Sequence, residues 1–342
     1  MPETTTNTLK DQPSAQGLLA GRNLWVGLAI LAGLILFPVF VRNAFFLHVA
    51  ILVFIYVIYT SAYRFVLRLD QLHFGAHAFI AAGAYASAIL AKNLGVPVWV
   101  SMPLAGLISA FIAVLVGFPA LRVKGVYFAI ITWGFAEGLR FLFIRVKHPF
   151  GGNGGIFAIP RPESIPLPFG HEIVFYEKTP YYFLALVLML FSLWVIYRLE
   201  KSKFGLTFAA IREGDHLAKS VGINIMNHKV LVFAICSGLA GLAGAFYAHY
   251  TVFIGPKDFT VMLTIFLALY ACVGGLNRFS GPIVGAAILF ILGEFFSGFG
   301  MYRILLFTGL TIIVLLLLPE GIVSLPQKIF AFLSRRRTRE AS

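Results

Sequence analysis

The chain runs to 342 residues, of which 59% are hydrophobic and only 12% charged, a balance that excludes a water-soluble globular domain. Its 27 Lys and Arg outnumber its 14 Asp and Glu, for a net charge of +13. In so apolar a chain that excess reads as basic residues retained on the cytoplasmic loops of a multi-pass membrane protein, not as a nucleic-acid surface. The two cysteines, Cys236 and Cys272, both lie inside apolar runs, which leaves no disulfide framework and no zinc spacing.

A bilayer core takes about 20 mostly apolar residues per helix, within a range of about 17–25. By that measure ten segments read as membrane helices: 24–41, 45–63, 71–91, 97–121, 125–144, 180–197, 230–253, 258–273, 283–297 and 303–318. Residues 1–23 form a polar N-terminal tail. The run that follows, Leu24 to Val41, exceeds the ~7–15 residues of a signal-peptide core and lacks a small-x-small cleavage site, so it is expected to remain as the first membrane helix. Segments 71–91, 258–273 and 283–297 are the weakest, the first carrying two histidines and the others short and broken by glycine. A re-entrant or interrupted path at any of them requires protein or a wet cavity around its backbone. The fold class expected is all-α and polytopic, with about ten transmembrane or re-entrant helices.

Basic residues set the orientation. The 198–229 loop carries Arg198, Lys201, Lys203, Arg212, Lys219 and Lys229, and the 319–342 tail carries Lys328, Arg335, Arg336, Arg337 and Arg339, so both are expected in the cytoplasm. Four segments separate them, an even number, which agrees. Counting back places the N-terminus inside, Arg64, Arg68, Arg122 and Lys124 on cytoplasmic turns, and the 145–179 loop outside. Prolines at 160, 162, 166 and 168 suggest that this loop is an ordered external cap.

Charged side chains within a span cost about 2.5–3.5 kcal/mol at a helix centre even on lenient scales, which makes them functional candidates. Glu137 and Arg140, three apart in one span, and Glu294 in another qualify. A bland alternative is a self-neutralising pair near the interface, with Glu294 at the membrane edge. His73 and His77 lie one helical turn apart but have no third partner at metal-ligand spacing, so no metal site is expected. In the 230–253 segment, Ser237, Gly241 and Ala245 form one small-residue row and Ala240, Gly244 and Ala248 another, the spacing that lets helix backbones approach closely in lipid.

Within the 198–229 loop, Ala209 to Val221 alternates apolar and polar residues at helical spacing, and Gly222 follows where a C-cap would sit. The run Ala210-Ile211-Arg212-Glu213, then Ala218, Gly222-Ile223-Asn224 and Lys229, resembles the cytoplasmic loop of LivM-type permease subunits of branched-chain amino acid ABC importers, where a coupling helix sits in a groove of the ATPase. Here His216-Leu217-Ala218 stands where that family usually opens with Glu-Ala-Ala. The likeness extends to Phe118-Pro119-Ala120-Leu121-Arg122, Gly125 to Ile130, Phe135-Ala136-Glu137, Gly151-Gly152-Asn153-Gly154-Gly155, and Gly274-Gly275 with Gly281-Pro282 and Gly285-Ala286, all in family order. Two places depart from it. Asp70-Gln71-Leu72-His73-Phe74-Gly75-Ala76-His77-Ala78-Phe79 replaces a stretch of small residues and serine, and Asn277-Arg278 replaces a glycine and a threonine, asparagine being the residue that tolerates left-handed backbone angles.

The resemblance implies a permease domain over 24–318 in a bacterial inner (plasma) membrane. It further implies a second, homologous permease subunit, two ABC ATPase subunits and an extracytoplasmic solute-binding protein as partners, besides membrane lipid. Ala210, Ile211, Arg212, Glu213, His216, Ala218 and Gly222 would contact the ATPase. His73, Phe74, His77, Glu137, Arg140 and Glu294 would be candidates for the translocation pathway, with branched-chain or related small amino acids or carboxylates as cargo. No Gly-x-x-x-x-Gly-Lys-Ser/Thr phosphate loop occurs in the chain, so ATP and Mg would bind the partner subunits, and no cofactor or covalent chemistry is expected here. A self-sufficient secondary transporter or channel is the alternative, the same embedded ionisable residues then serving ion coupling.

Overall fold

The computed structural model describes residues 15–41, 43–68, 71–123, 125–166, 172–202, 205, 207–208, 224–318 and 321–324. Ten helices are described, one for each apolar segment: α1 Ala15–Phe40, α2 Ala44–Leu67, α3 Ala76–Asn93, α4 Val98–Ala120, α5 Val126–Arg145, α6 Lys178–Lys201, α7 Ile225–Thr251, α8 Val261–Gly274, α9 Gly281–Phe295 and α10 Arg303–Leu317. Among the described residues, six stretches, Ala44–Leu67, Val98–Ala120, Val126–Arg145, Lys178–Lys201, Ile225–Thr251 and Gly281–Gly300, are long and apolar enough to cross a membrane. The apolar lengths of α1, α8 and α10 are shorter. The chain divides into two compact units, residues 1–47 and 48–342. The first holds α1, a 26-residue helix with Pro38 near its end; all that follows concerns the second.

At the centre of the second unit, α3, α4 and α7 pack against one another more extensively than any other elements. Lipid tails are as apolar as leucine, so membrane helices gain by close van der Waals contact rather than by burial from water. The small residues provide that contact. Gly83 of α3 lies so near the backbone of Gly241 in α7 that a side chain at 83 would overlap the Gly241 carbonyl, and Gly244 is pressed as closely on the Ile80 carbonyl. Buried hydroxyls add cross-links: Ser109 of α4 donates to the Phe79 carbonyl (2.7 Å), and Ser87 of α3 bonds Ser101 of α4 (2.9 Å) and His249 of α7 (2.8 Å).

The glycine motif after α8 makes a tight hairpin. Gly274 and Gly285 lie in direct backbone contact, and so do Gly275 and Gly281. The turn is made with Asn277 in place, and its positive φ is taken by Gly275 (111°), not by Asn277. The 145–179 loop follows a defined path over its described residues. Gly151, Gly152 and Gly155 all adopt positive φ, a conformation open to glycine at little cost, and direct the chain into a bridge between Ile156 and Ile254. Ile165–Pro166 and Glu172–Ile173 then pair as a short antiparallel hairpin, Ile165 opposite Ile173. Glu163 accepts from the first backbone N–H of α4 (Val98, 2.8 Å), an anion placed where the helix dipole favours one.

Candidate functional site

The residues before α3 create the site. Segment 71–91, one of the three for which an interrupted path was left open, is non-helical over residues 71–75, and the helix starts only at Ala76. Tertiary contacts hold the break open. The Phe74 N–H donates to Thr132 Oγ1 of α5 (3.2 Å), and Gly75 lies against the Thr132 carbonyl with no room for a side chain. Thr132 satisfies its own proton by bonding back to the Phe128 carbonyl (2.9 Å).

His77, in the first turn of α3, is 1% exposed. Its backbone N–H, one of the donors that a helix start leaves without an intrahelical partner, reaches Thr264 Oγ1 of α8 (3.1 Å), and its Nδ1 lies 2.9 Å from the same hydroxyl. With the Thr264 proton directed to Nδ1, the neutral ring carries its proton on Nε2. That nitrogen has no hydrogen-bond partner among the described residues and faces Glu137 Oε1 of α5 at 3.9 Å, beyond hydrogen-bond range. The other oxygen of Glu137 accepts from Arg140 Nε and Nη2, both at 2.7 Å. The Arg140 guanidinium also stands 5.1 Å from the Phe141 ring centre. Neither charge is fully enclosed: the side chains of Glu137 and Arg140 are 21% and 24% exposed, in the second half of a 20-residue apolar helix. Beside them Gly134 and Gly138 border open space.

The structure therefore places His77 near the Glu137–Arg140 pair and bonds it to Thr264, a residue absent from the sequence-derived candidates. The signal available was its position as a solitary polar side chain in the first half of α8. His73 points elsewhere. Its buried ring is surrounded by Tyr63, Phe79, Phe128 and Phe233 at centroid distances of 6.1, 5.8, 6.3 and 5.1 Å. It also borders a cavity of about 20 Å³ between α2, α3, α7 and α8, which has room for a water molecule and not for an amino acid. Phe74 is half-buried. Glu294 belongs to a different neighbourhood, in the last turn of α9, where it acts electrostatically on His48 of α2. Ala210, Ile211, Arg212, Glu213, His216, Ala218 and Gly222 lie outside the described residues. Cys236 and Cys272 are free thiols.

A family described as "Branched-chain amino acid transport system / permease component" matches residues 45–318, most of the chain and all of α3 to α9. The chain belongs to this permease family. Among its relatives is the high-affinity branched-chain amino acid transport system permease protein LivM of Salmonella typhimurium, 30% identical over 329 residues, covering 91% of this chain and 77% of that protein. The Escherichia coli LivM is 31% identical over 293 residues, 80% of this chain and 69% of its own length. An autoinducer 2 import system permease, LsrC of Salmonella typhi, is 27% identical over 205 residues, 57% of this chain and 53% of LsrC. No solved structure matches the chain.

Proposed function

We propose that this permease carries branched-chain amino acids, or closely related small amino acids and carboxylates, inward across a bacterial inner membrane. It would work as one of two homologous permease subunits, with two ABC ATPases bound on the cytoplasmic side and a solute-binding protein delivering cargo outside. ATP and Mg would reside in the ATPases. Closure of the ATPases would push on residues 210–222 of the 198–229 loop and switch access to the pathway from one side to the other.

The Glu137–Arg140 pair carries this reading. A partly exposed ion pair within an apolar helix is costly against lipid, so the open side of α5 must face protein or a wet cavity. An amino acid zwitterion bears one charge of each sign, as this pair does, and can exchange partners with it: carboxylate to Arg140, ammonium to Glu137, with the His77 Nε2–H waiting beside the carboxylate of Glu137. The adjacent apolar surface of Ile130, Ile131 and Trp133, all exposed, suits an aliphatic side chain.

Reconstitution of the whole complex tests this. ATP-dependent uptake of leucine, isoleucine and valine is expected, and Glu137→Gln or Arg140→Gln is expected to reduce it tenfold or more, about 1.4 kcal/mol at the least. Uptake without ATP and abolished by an uncoupler would instead establish the secondary transporter. Unchanged uptake in both variants would remove α5 from the pathway.

A further inference from the structure

A second buried charge cluster has no part in the α3–α5 site. Arg64, in the last turn of α2, has a side chain only 1% exposed, yet all its bonds cross between elements. Its Nε donates to the Leu276 carbonyl in the turn between α8 and α9 (2.8 Å), while Nη1 and Nη2 grip the two carboxylate oxygens of Glu200 at 3.2 and 3.3 Å. Arg68, one turn further on, also bonds Glu200. Glu200 is the penultimate residue of α6, where the 198–229 loop leaves the helix. A little later in that loop, the buried ring of Phe208 meets Phe65, the neighbour of Arg64, edge-on at 5.9 Å and His228 in the first turn of α7 at 6.3 Å. That helix is capped by Asn224, whose side chain accepts from the Asn227 N–H (3.2 Å). The described residues on both sides of 209–223 thus converge on one end of α2.

Buried ion pairs add little net stability, because desolvation offsets the attraction; what they fix is geometry. A planar guanidinium that satisfies a carboxylate bidentately and a backbone carbonyl at once defines the relative placement of three elements, which a lysine could not do. We propose that Arg64 is a positioning residue for transport, locking the base of the 198–229 loop to the α8–α9 turn so that displacement of the loop is delivered to α8. This rests on the reading of that loop as the ATPase contact. α8 is a short rigid rod, with about 15 Å of helix between Gly274 and Thr264. At its far end Thr264 bonds His77, whose Nε2 lies 3.9 Å from Glu137 Oε1. Movement at Leu276 therefore reaches His77 through one helix.

The test compares wild type, Glu200→Gln, Arg64→Lys and Arg64→Gln in the reconstituted complex, reading ATP hydrolysed per cargo molecule imported alongside the yield of assembled complex. Glu200→Gln keeps the side-chain shape while removing the charge and one of the two oxygens that accept from Arg64. It and Arg64→Gln are expected to assemble and hydrolyse ATP while using at least about fivefold more of it per molecule imported, with Arg64→Lys in between. A wild-type ratio in an assembled Glu200→Gln or Arg64→Gln complex would overturn the proposal. So would uptake that falls only in proportion to assembly or to ATPase rate, or failure of both variants to assemble, since a brace that serves only the fold behaves that way. A wild-type complex that imports without hydrolysing ATP would instead show that the ATP-driven reading itself is wrong.

Discussion

At Glu137 and Arg140 either charge alone within a span costs up to about 2.5–3.5 kcal/mol, whereas the bonded pair cancels much of that. Each single alanine variant is therefore expected to lower the thermal stability of the purified permease more than the double variant does. A double-mutant cycle should return a coupling of about 0.5–3 kcal/mol, and additive losses would mean that the two residues act independently. His73 and Phe74 separate in a similar way. His73→Ser empties a ring position among Tyr63, Phe79, Phe128 and Phe233, a large-to-small change expected to cost on the order of 2–5 kcal/mol. Phe74→Leu, at a half-buried position, should cost less than about 1.5 kcal/mol. Phe74→Leu is thus the informative variant for cargo preference. Uptake of a panel of aliphatic and aromatic amino acids, with the binding protein held constant, is expected to change in rank order, and an unchanged order would leave specificity to the binding protein.

Between elements, the decisive contacts are those that admit no side chain. Gly83→Leu drives four carbons into the backbone of α7 and is expected to cost at least about 1–3 kcal/mol and much of the yield of folded protein. Gly138→Leu, on the open side of α5, should leave the isolated chain within about 0.5 kcal/mol of wild type. Thermal denaturation of both in one detergent compares them directly, and equal losses would argue against the close approach of α3 and α7. The small-residue rows of α7 could be read from spacing alone, since helical periodicity places i and i+4 on one face. Which helices they would meet could not, because Gly83 and Gly241 are brought together only by the packing of three helices.

For the whole molecule, the basic residues predict orientation: both termini and the 198–229 loop in the cytoplasm, and the 145–179 cap outside. A cysteine placed at Ser164 should react with a membrane-impermeant thiol reagent in intact cells, and one at Ser202 only after the membrane is opened. Labelling at 202 without labelling at 164 would invert the topology. Ser202 lies two residues beyond Glu200, so the same experiment establishes which side of the membrane the Arg64 brace faces.

The sequence by itself determined the class, the ten helices and the family, because a bilayer-length apolar run and a motif order are one-dimensional properties carried by neighbouring residues. It also marked Glu137 and Arg140, since a charge in an apolar span is conspicuous wherever it points. The interruption of the third segment at residues 71–75 was decided by the tertiary structure, as the Phe74 N–H bonds Thr132 and Gly75 packs on the Thr132 carbonyl. So were the meeting of His77 with Thr264 and of Arg64 with Glu200, pairs separated by 187 and 136 positions in the chain. Local patterning limits which elements form and which faces are apolar. The partner of a buried polar group is chosen only when distant helices close around it, as they do around His77 and Arg64.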